Sequence, residues 1–423
     1  MLTIDEALTR VLALVDGTGV ERVAVADALG RVLAEDVVAD VDLPPWDNSS
    51  MDGYAVRAAD TASGDARLDL LEVIAAGSAP TCVVVAGTAS AIMTGAPMPA
   101  GADAVVMVED TDGGLEAVVQ VRAAASVGQH VRRQGESVQR GSVAVRAGGE
   151  LRAGALALLA ALGRDSVVVA RRPVVGVLST GDEVVAAGRP LAPGQIYSSN
   201  GVALVALARE AGAIGLDLGN VADDPALIEQ ALASAVARCD VVVTTGGVSV
   251  GAFDHVKGVF ERIAGGIDFW KVSMKPGKPL AVSCAIRDGR RVPLLGLPGN
   301  PVSCMVNFLE FVRPMLRLAM GAGAPFLPEV QARVAAPIVE SGARVKLVRV
   351  VLALADDGAV VCRPAVGAAG GPQSSGSVVE MAHAHGLALL GSEARRVAVG
   401  EVVRVQVFDP SYAARPARPT LPS

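Results

Sequence analysis

The sequence predicts a multidomain protein of the α/β plus β class, built around a central doubly wound α/β domain. Strands and helices alternate from about Pro173 to Gly321, which is typical of a parallel sheet with helices on both faces. Short strands with Gly/Pro turns fill positions 68–121, and strands dominate again after position 325. At 423 residues the chain is too long for one ordinary core, so several domains are expected.

In the N-terminal part, the sequence predicts helices and short strands around an inserted β module. Apolar residues recur at helical spacing over 4–14 and 154–163, with a short helix expected at 27–30. In the loop 43–52, two prolines and an Asp/Ser cluster exclude regular structure. Arg132 and Arg133 lie close to Glu136, and such charges usually form a solvated surface.

Strand and helix patterns alternate strictly in the central part of the chain. An Asp224 cap before Pro225 begins one helix, polar caps at Ser199 and Asn200 begin another, and RDGR predicts a hairpin turn. The pattern predicts strands at 174–178, 215–221 and 241–244, further strands in IDFWKVSM, LAVSCAI and VPLLGLP, and helices over 200–211, 226–239, 255–263 and 301–320.

After a Gly/Ala/Pro linker at 321–325, five strand patterns predict a small β-barrel or sandwich. The expected domains are an N-terminal helical domain (1–42 with 137–170), the inserted β module (43–136), the α/β domain (171–322), the C-terminal strands (323–409) and a disordered tail (410–423).

Composition excludes several classes of function. The net charge is −7 and aromatic residues make up 3%, so the chain lacks the basic surface and the stacking side chains of a nucleic-acid binder. No apolar run approaches the ~20 residues of a membrane span. Five cysteines without a C-x-x-C pair argue against disulfides and a zinc site, and favour a reducing cytoplasm.

The segment 240–254, DVVVTTGGVSVGAFD, is the first candidate site. A short buried strand ends at Gly246 and Gly247, Ser249 and Asp254 follow, and a helix begins after them. A glycine-rich turn between a strand and a helix directs backbone N–H groups outward, which suits an anion. In a parallel sheet this is also the edge at which ligands bind.

Polar residues follow five strand ends that should meet at this edge. They are Asp182 and Glu183; Asp223; Ser249 and Asp254; Lys271, Lys275 and Lys278; and Pro298, Asn300, Pro301 and Ser303. The carboxylates of Asp182, Glu183 and Asp223 predict a Mg²⁺ site, and the lysines predict a pocket for an oxyanion or a phosphate. The alternatives are that Asp254 and Ser303 only cap helices and that the lysines are solvated.

Two other motifs are weak. The G-x-S-x-G pattern at 247–251 resembles a nucleophile elbow, but the histidines in hydrolase order, His383 and His385, lie in the C-terminal β region. These two histidines could bind a metal, but with no third ligand nearby they are expected at the surface. No Walker motif is present, so an NTPase of that class is unsupported.

Together these motifs resemble the MoeA family, which includes the C-terminal domain of gephyrin. The matching stretches are DNSSMDGYAV, IMTGAPMPAGADAVV, STGDE, TTGGVSVGAFD, WKVSMKPGKP and LPGNPVS. The resemblance implies a MogA-like central domain, a C-terminal β-barrel and an elongated homodimer with a cleft shared between subunits. It also assigns site positions, namely Asp52, Thr94, Arg132, Glu183, Asp223, Asp254, Lys271, Lys275, Pro298 and Pro301. Ser137 departs from the family pattern, which usually has Asp there.

The resemblance implies a molybdopterin molybdenumtransferase that inserts molybdate into adenylyl-molybdopterin with Mg²⁺ and releases AMP. A molybdopterin adenylyltransferase would supply the substrate. A binding scaffold without activity and a tungstate-inserting or regulatory relative are the alternatives, and the sequence does not distinguish molybdate from tungstate.

Overall fold

The computed structural model describes residues 1–115, 117–247, 255–340, 342–366, 373–393 and 396–414. The chain divides into two compact units. The larger unit comprises Met1–Glu21, Gly30–Ala34 and Val169–Ser423, and the smaller one comprises Arg22–Leu29 and Glu35–Val168. Among the described residues, no helix combines the length and the apolarity that crossing a membrane requires.

A six-stranded sheet forms the centre of the larger unit. In spatial order its strands are Ile214–Val221, Val174–Thr180, Val241–Thr245, Arg290–Leu297, Pro279–Arg287 and Phe269–Lys271. The first four are parallel, and the last two are added by antiparallel pairing. The predicted hairpin is confirmed, since Asp288 and Gly289 have φ of 51° and 75° between paired strands.

Helices cover both faces of this sheet, which confirms the predicted doubly wound class. Val241 and Val243 pack in one core with Phe311, whereas Val242 packs in the opposite core with Phe260. The helices are Asn200–Glu210, Pro225–Arg238, His255–Ala264, Pro301–Asn307 and Arg313–Ala319, and a π-helical segment, Phe308–Val312, joins the last two. The helix predicted as continuous over 301–320 therefore contains a π segment.

The N-terminal helix, Ile4–Leu12, belongs to the core of the larger unit. Thr3 and Glu6 form a capping box at its start, and Ala7 and Val11 are fully buried in the core that also contains Phe311. Its 3.6-residue spacing was visible in the sequence, but spacing does not say which domain buries the apolar side.

A closed five-stranded barrel follows, so the barrel prediction is confirmed. Its strands are Glu329–Val334, Val345–Leu354, Val360–Pro364, Gly386–Leu390 and Val402–Val407. The short strand Met274–Lys275 pairs in parallel with Val345–Lys346 at the edge of this barrel. The larger unit also contains the helix Val378–His383 and two short strand pairs, Val184–Val185 with Ile196–Tyr197 and Ile338–Val339 with Arg396–Val397. The tail after position 409 was expected to be disordered, but it begins with a 3-10 turn at Pro410–Ala413.

The smaller unit contains a five-stranded sheet. In spatial order its strands are Ala104–Met107, Gly53–Val56, Thr88–Ile92, Ala66–Ile74 and Val118–Val121. The loop predicted to be irregular contains a two-residue strand, Asn48–Ser49, which pairs with Val131–Arg132. The other elements are the paired strands Val37–Val38 and Val143–Val145, the helix Ala153–Ala161, and 3-10 turns at Val25–Asp27, Ala58–Thr61 and Val108–Asp110. Strands Val20–Ala24 and Ser166–Ala170 pair with each other.

Candidate functional site

Two glycines form the floor of a cleft at the carboxyl edge of the central sheet. Gly246 and Gly247 follow the fully buried strand Val241–Thr245 and have φ of 96° and 64°. A Cβ on Gly246 would lie 2.6 Å from the carbonyl oxygen of Thr180, and one on Gly247 would lie 2.7 Å from Cγ2 of Val256. Only a residue without a side chain fits here, as the sequence predicted.

The cleft has a volume of 730 Å³ and brings together half of the residues predicted at the five strand ends, together with the two glycines. Those that line it are Glu183, Asp223, Gly246, Gly247, Pro298, Asn300, Pro301 and Ser303. Ser249 and Asp254 lie outside the described residues. Thr180 also lines the cleft, and its hydroxyl is buried with no hydrogen-bond partner among the described residues.

Asn200 connects two walls of the cleft. Its Nδ2 donates to Oγ1 of Thr245 at 2.8 Å and to the carbonyl oxygen of Gly299 at 2.7 Å. Asn200 was expected to cap its helix with Ser199, but Ser199 is the N-cap residue and makes no side-chain capping hydrogen bond. The amide instead fixes the loop that contains Pro298 and Pro301 against the strand that ends in the glycine turn.

The carboxylates are arranged differently from the prediction. Glu183 and Asp223 line the cleft, whereas Asp182 does not, and its Oδ1 accepts the backbone N–H of Asp223 at 3.2 Å. Among the described residues, no three His, Cys, Asp or Glu side chains are grouped closely enough to hold a metal. The predicted three-carboxylate site is therefore not formed by protein groups alone. Two carboxylates still suit Mg²⁺, which commonly takes its remaining ligands from substrate phosphate and water.

A second, basic cavity of 360 Å³ adjoins the cleft. Pro279, Asn300 and Ser303 line both spaces and so form a wall between them. Lys275 and Lys278 line the basic side, as predicted. Nζ of Lys275 lies 2.8 Å from Oε2 of Glu340.

The barrel supplies cavity residues that the sequence analysis missed. Arg344, Arg349, Gln373 and Ser375 all line the basic cavity. Arg349 forms a buried ion pair with Glu380 at 2.5 Å, and both side chains are about 5% exposed. The signal was present in the strand VKLVRVVLAL, where a charged residue at a buried strand position requires a partner.

The third predicted lysine lies apart from the other two. Lys271 is not among the residues that line either cavity, and its Nζ lies 3.5 Å from the ring centroid of Trp270. This distance is that of a cation–π contact. The predicted group of three lysines is therefore two lysines at the basic cavity and one stacked on an indole.

The remaining predicted residues lie in the smaller unit. The backbone N–H and the hydroxyl of Thr94 donate to Oδ1 of Asp52 at 2.6 Å and 2.8 Å. These hydrogen bonds stabilise the carboxylate and lower the pKa of Asp52. Arg132 is exposed at the end of its short strand, opposite Asn48. Ser137, the departure from the family pattern, is exposed, and its backbone N–H donates to the carbonyl oxygen of Leu43.

His383 and His385 lie in the larger unit, where they line an open cavity of 520 Å³ together with Asp409. Nδ1 of His385 accepts the backbone N–H of Leu352 at 3.0 Å, so this nitrogen already has a structural role. Among the described residues around this cavity, no three His, Cys, Asp or Glu side chains are close enough together to hold a metal.

Three family models match consecutive parts of the chain. The MoeA N-terminal region (domain I and II) matches residues 2–163, a probable molybdopterin binding domain matches 176–318, and the MoeA C-terminal region (domain IV) matches 331–408. Together they cover nearly the whole chain, in the order that the sequence motifs predicted.

Individual proteins agree with these matches. Molybdopterin molybdenumtransferase 2 of Mycobacterium tuberculosis is 39% identical over 396 residues, covering 92% of this chain and 94% of its own length. Molybdopterin molybdenumtransferase of Bacillus subtilis is 39% identical over 75% of this chain and 74% of its own. The crystal structure of the molybdopterin biosynthesis moeA protein of Pyrococcus horikoshii OT3 matches with a TM-score of 0.80 and 27% identity, covering 96% of this chain and 100% of that one. The resemblance seen in the sequence motifs is thus confirmed, and the chain belongs to the MoeA family.

Proposed function

We propose that this protein is a molybdopterin molybdenumtransferase, which inserts molybdate into adenylyl-molybdopterin and releases AMP. The observation that carries the proposal is the pair of adjoining cavities on either side of Pro279, Asn300 and Ser303. One has a glycine floor and two carboxylates, and the other is basic. Such a pair suits a reaction in which a phosphorylated ligand and a tetrahedral oxyanion must meet. The similar proteins of Mycobacterium tuberculosis and Bacillus subtilis are named as molybdopterin molybdenumtransferases.

The cleft is the proposed site of the phosphorylated substrate. The glycine turn lets phosphate oxygens approach the backbone closely, since no Cβ intervenes. Glu183 and Asp223 would hold Mg²⁺, and Asp182 holds the loop of Asp223 through its backbone N–H. When bound, Mg²⁺ would neutralise phosphate charge.

The basic cavity is the proposed site of molybdate. Lys275, Lys278 and Arg349 supply cationic donors around a space that opens beside the wall of Asn300 and Ser303. A dianion with four oxygens can accept from several of these groups at once. No covalent intermediate with the protein is required, because positioning the two substrates and compensating their charge reduce the barrier. Lys271 lines neither cavity, so its role in the reaction, which the family resemblance implies, stays a prediction.

Asp52 and Thr94 are proposed to act from the partner subunit of a homodimer, and Arg132 is proposed to bind substrate. An Asp52→Asn chain and a Lys275→Ala chain would each be inactive as pure dimers. Mixed dimers would regain part of the activity, because one of their two shared clefts keeps both residues intact. Mixtures that stay inactive despite verified subunit exchange would contradict a shared cleft. The protein is further proposed to act in the cytoplasm, downstream of a molybdopterin adenylyltransferase.

The decisive experiment supplies purified protein with adenylyl-molybdopterin, Mg²⁺ and molybdate, and follows AMP by chromatography. We expect AMP release that depends on molybdate, together with formation of molybdenum cofactor that activates an apo-molybdoenzyme. No AMP release would support a binding scaffold instead, and AMP release that is indifferent to molybdate would indicate hydrolysis of the adenylyl bond without insertion of the metal. Replacing molybdate by tungstate in the same assay compares the two oxyanions.

A further inference from the structure

A buried amide side chain lies directly beneath the lysine-bearing turn of the basic cavity. Asn307 is fully buried at the end of the helix Pro301–Asn307, whose first turn carries Ser303 of the cavity wall. Its Nδ2 lies 2.9 Å from the carbonyl oxygen of Ser303, 3.2 Å from that of Gly277 and 3.4 Å from that of Pro279. Carbonyl oxygens only accept hydrogen bonds, so the nitrogen of the amide must face them.

The turn has few hydrogen-bond donors of its own. The segment 275–279, Lys-Pro-Gly-Lys-Pro, contains two prolines, which have no N–H. Gly277 has a φ of 99°, and a Cβ on it would lie 2.9 Å from Nδ2 of Asn307 and 2.6 Å from Cε of Met274. The backbone of the turn therefore packs directly on the Asn307 amide, which supports it from below.

We propose that Asn307 is a positioning residue for the oxyanion, which fixes the distance between the lysines of the turn and the wall of Asn300 and Ser303. The amide bonds to the turn at Gly277 and Pro279, on both sides of Lys278, and to the wall helix at Ser303. A small oxyanion is bound only when donors on both sides reach it together, so a turn that shifts by a fraction of an ångström binds it less tightly. This inference rests on the proposed function, because it assigns molybdate to the basic cavity.

The test replaces the amide by an apolar side chain of similar size, in the full-length protein. For Asn307→Leu we expect the KM for molybdate to rise by about tenfold or more. We expect kcat at saturating molybdate and the KM for adenylyl-molybdopterin to stay near wild type. Equilibrium dialysis with molybdate alone should show the same loss of affinity, and Asn307→Ser, which keeps one donor, should lie between the two.

Thr244→Val is the matched control. Thr244 is also fully buried in this unit, but its hydroxyl has no hydrogen-bond partner among the described residues. Its removal costs no hydrogen bond, so binding of molybdate should not change. If Asn307→Leu fails to fold, Gly277→Ala displaces the same contact from the side of the turn and should show the same selective loss.

The outcomes separate this inference from the proposed function. Unchanged molybdate binding in folded Asn307→Leu overturns the inference, and so does an equal loss for both substrates, which would indicate a general structural role. Wild-type protein that binds molybdate but releases no AMP overturns the proposed function, while dialysis still decides the role of Asn307. Wild-type protein that binds no molybdate and releases no AMP overturns both.

Discussion

The ammonium group of Lys275 lies 2.8 Å from the carboxylate of Glu340, so the basic cavity contains a carboxylate that already neutralises one of its cations. Glu340 follows a short strand beside the barrel, and its side chain is only 13% exposed. An incoming dianion must therefore share Lys275 with Glu340 or displace it. Repulsion between the carboxylate and the dianion would limit affinity.

Glu340→Gln should strengthen molybdate binding. The amide oxygen still accepts a hydrogen bond from Lys275, but the negative charge is gone. We expect the dissociation constant for molybdate to fall by a few-fold, and by more at low ionic strength, since screening weakens charge interactions. Equilibrium dialysis at two salt concentrations measures this. Weaker binding would show that Glu340 acts mainly by orienting Lys275.

Lys275→Ala should weaken molybdate use while leaving the fold intact. The Lys275 side chain is 40% exposed, so its removal opens no cavity in the core. We expect the KM for molybdate to rise by about tenfold or more, which corresponds to the loss of one charge-assisted hydrogen bond. The Tm should stay within a few degrees of wild type. Near-normal saturation by molybdate would count against this cavity as the oxyanion site.

Gly246→Ala should abolish activity through the cleft floor. The substitution places a Cβ 2.6 Å from the carbonyl oxygen of Thr180 and forces a non-glycine residue to a φ of 96°. Gly265→Ala is the matched control, because Gly265 has a φ of 76° but no atom within 4 Å of an added Cβ. The control should lose roughly 1–2 kcal/mol of stability and keep its activity. If the two variants behave alike, the close approach of the glycine turn to Thr180 has no functional role.

Glu183→Gln and Asp223→Asn should raise the Mg²⁺ concentration that gives half-maximal AMP release. Both carboxylates line the cleft, and each substitution removes a charged ligand while it keeps the shape. Asp182→Asn is the control, because the amide oxygen can still accept the backbone N–H of Asp223. A Mg²⁺ requirement raised equally in all three variants would indicate a general charge effect rather than coordination.

The stability of the protein should fall as the pH rises toward neutrality because of Glu310. Burial raises the pKa of Glu310 to about 7, a hydrogen bond with Gln406 opposes this rise, and the charge of Glu329 adds to it. Oε1 of Glu310 is buried with no partner among the described residues. Between its unfolded value of 4.5 and about 7 the folded state binds more protons than the unfolded state. Raising the pH through this range therefore removes up to about 3 kcal/mol of stability.

The comparison of wild type with Glu310→Gln at pH 5 and pH 8 tests this linkage. The variant has no proton to lose, so its Tm should decrease less between the two pH values. At pH 8 it should be the more stable protein. Parallel pH profiles would show that Glu310 titrates normally.

The sequence predicted those parts of the site that are set by local rules. A strand that ends in two glycines must form a turn, and the carboxyl ends of parallel strands must meet at one edge, which placed Glu183, Asp223 and the loop of Pro298 correctly. The helix cap at Asp224 could also be predicted, because its side chain accepts hydrogen bonds from the nearby backbone N–H groups of Ala226 and Leu227.

What the sequence did not predict depends on distant pairing. Arg349 reaches the cavity because its strand pairs with the lysine segment about seventy positions earlier, with Lys275 opposite Lys346. Nothing in the spacing of either segment specifies that register. Lys271 was predicted at the cavity but is not among its lining residues. It belongs to the same segment as Lys275, but its ammonium group contacts the ring of the neighbouring Trp270. The positions of Ser249 and Asp254 lie outside the described residues and stay predictions.

The parallel pairing of Met274–Lys275 with Val345–Lys346 joins the barrel to the lysine segment, so the barrel forms part of the basic cavity. A chain shortened before the barrel would keep the glycine floor and its carboxylates. It would lose the strand that holds Lys275, together with Glu340 and Arg349. Exchanging barrels between relatives should therefore transfer the preference for an oxyanion without changing the organic substrate.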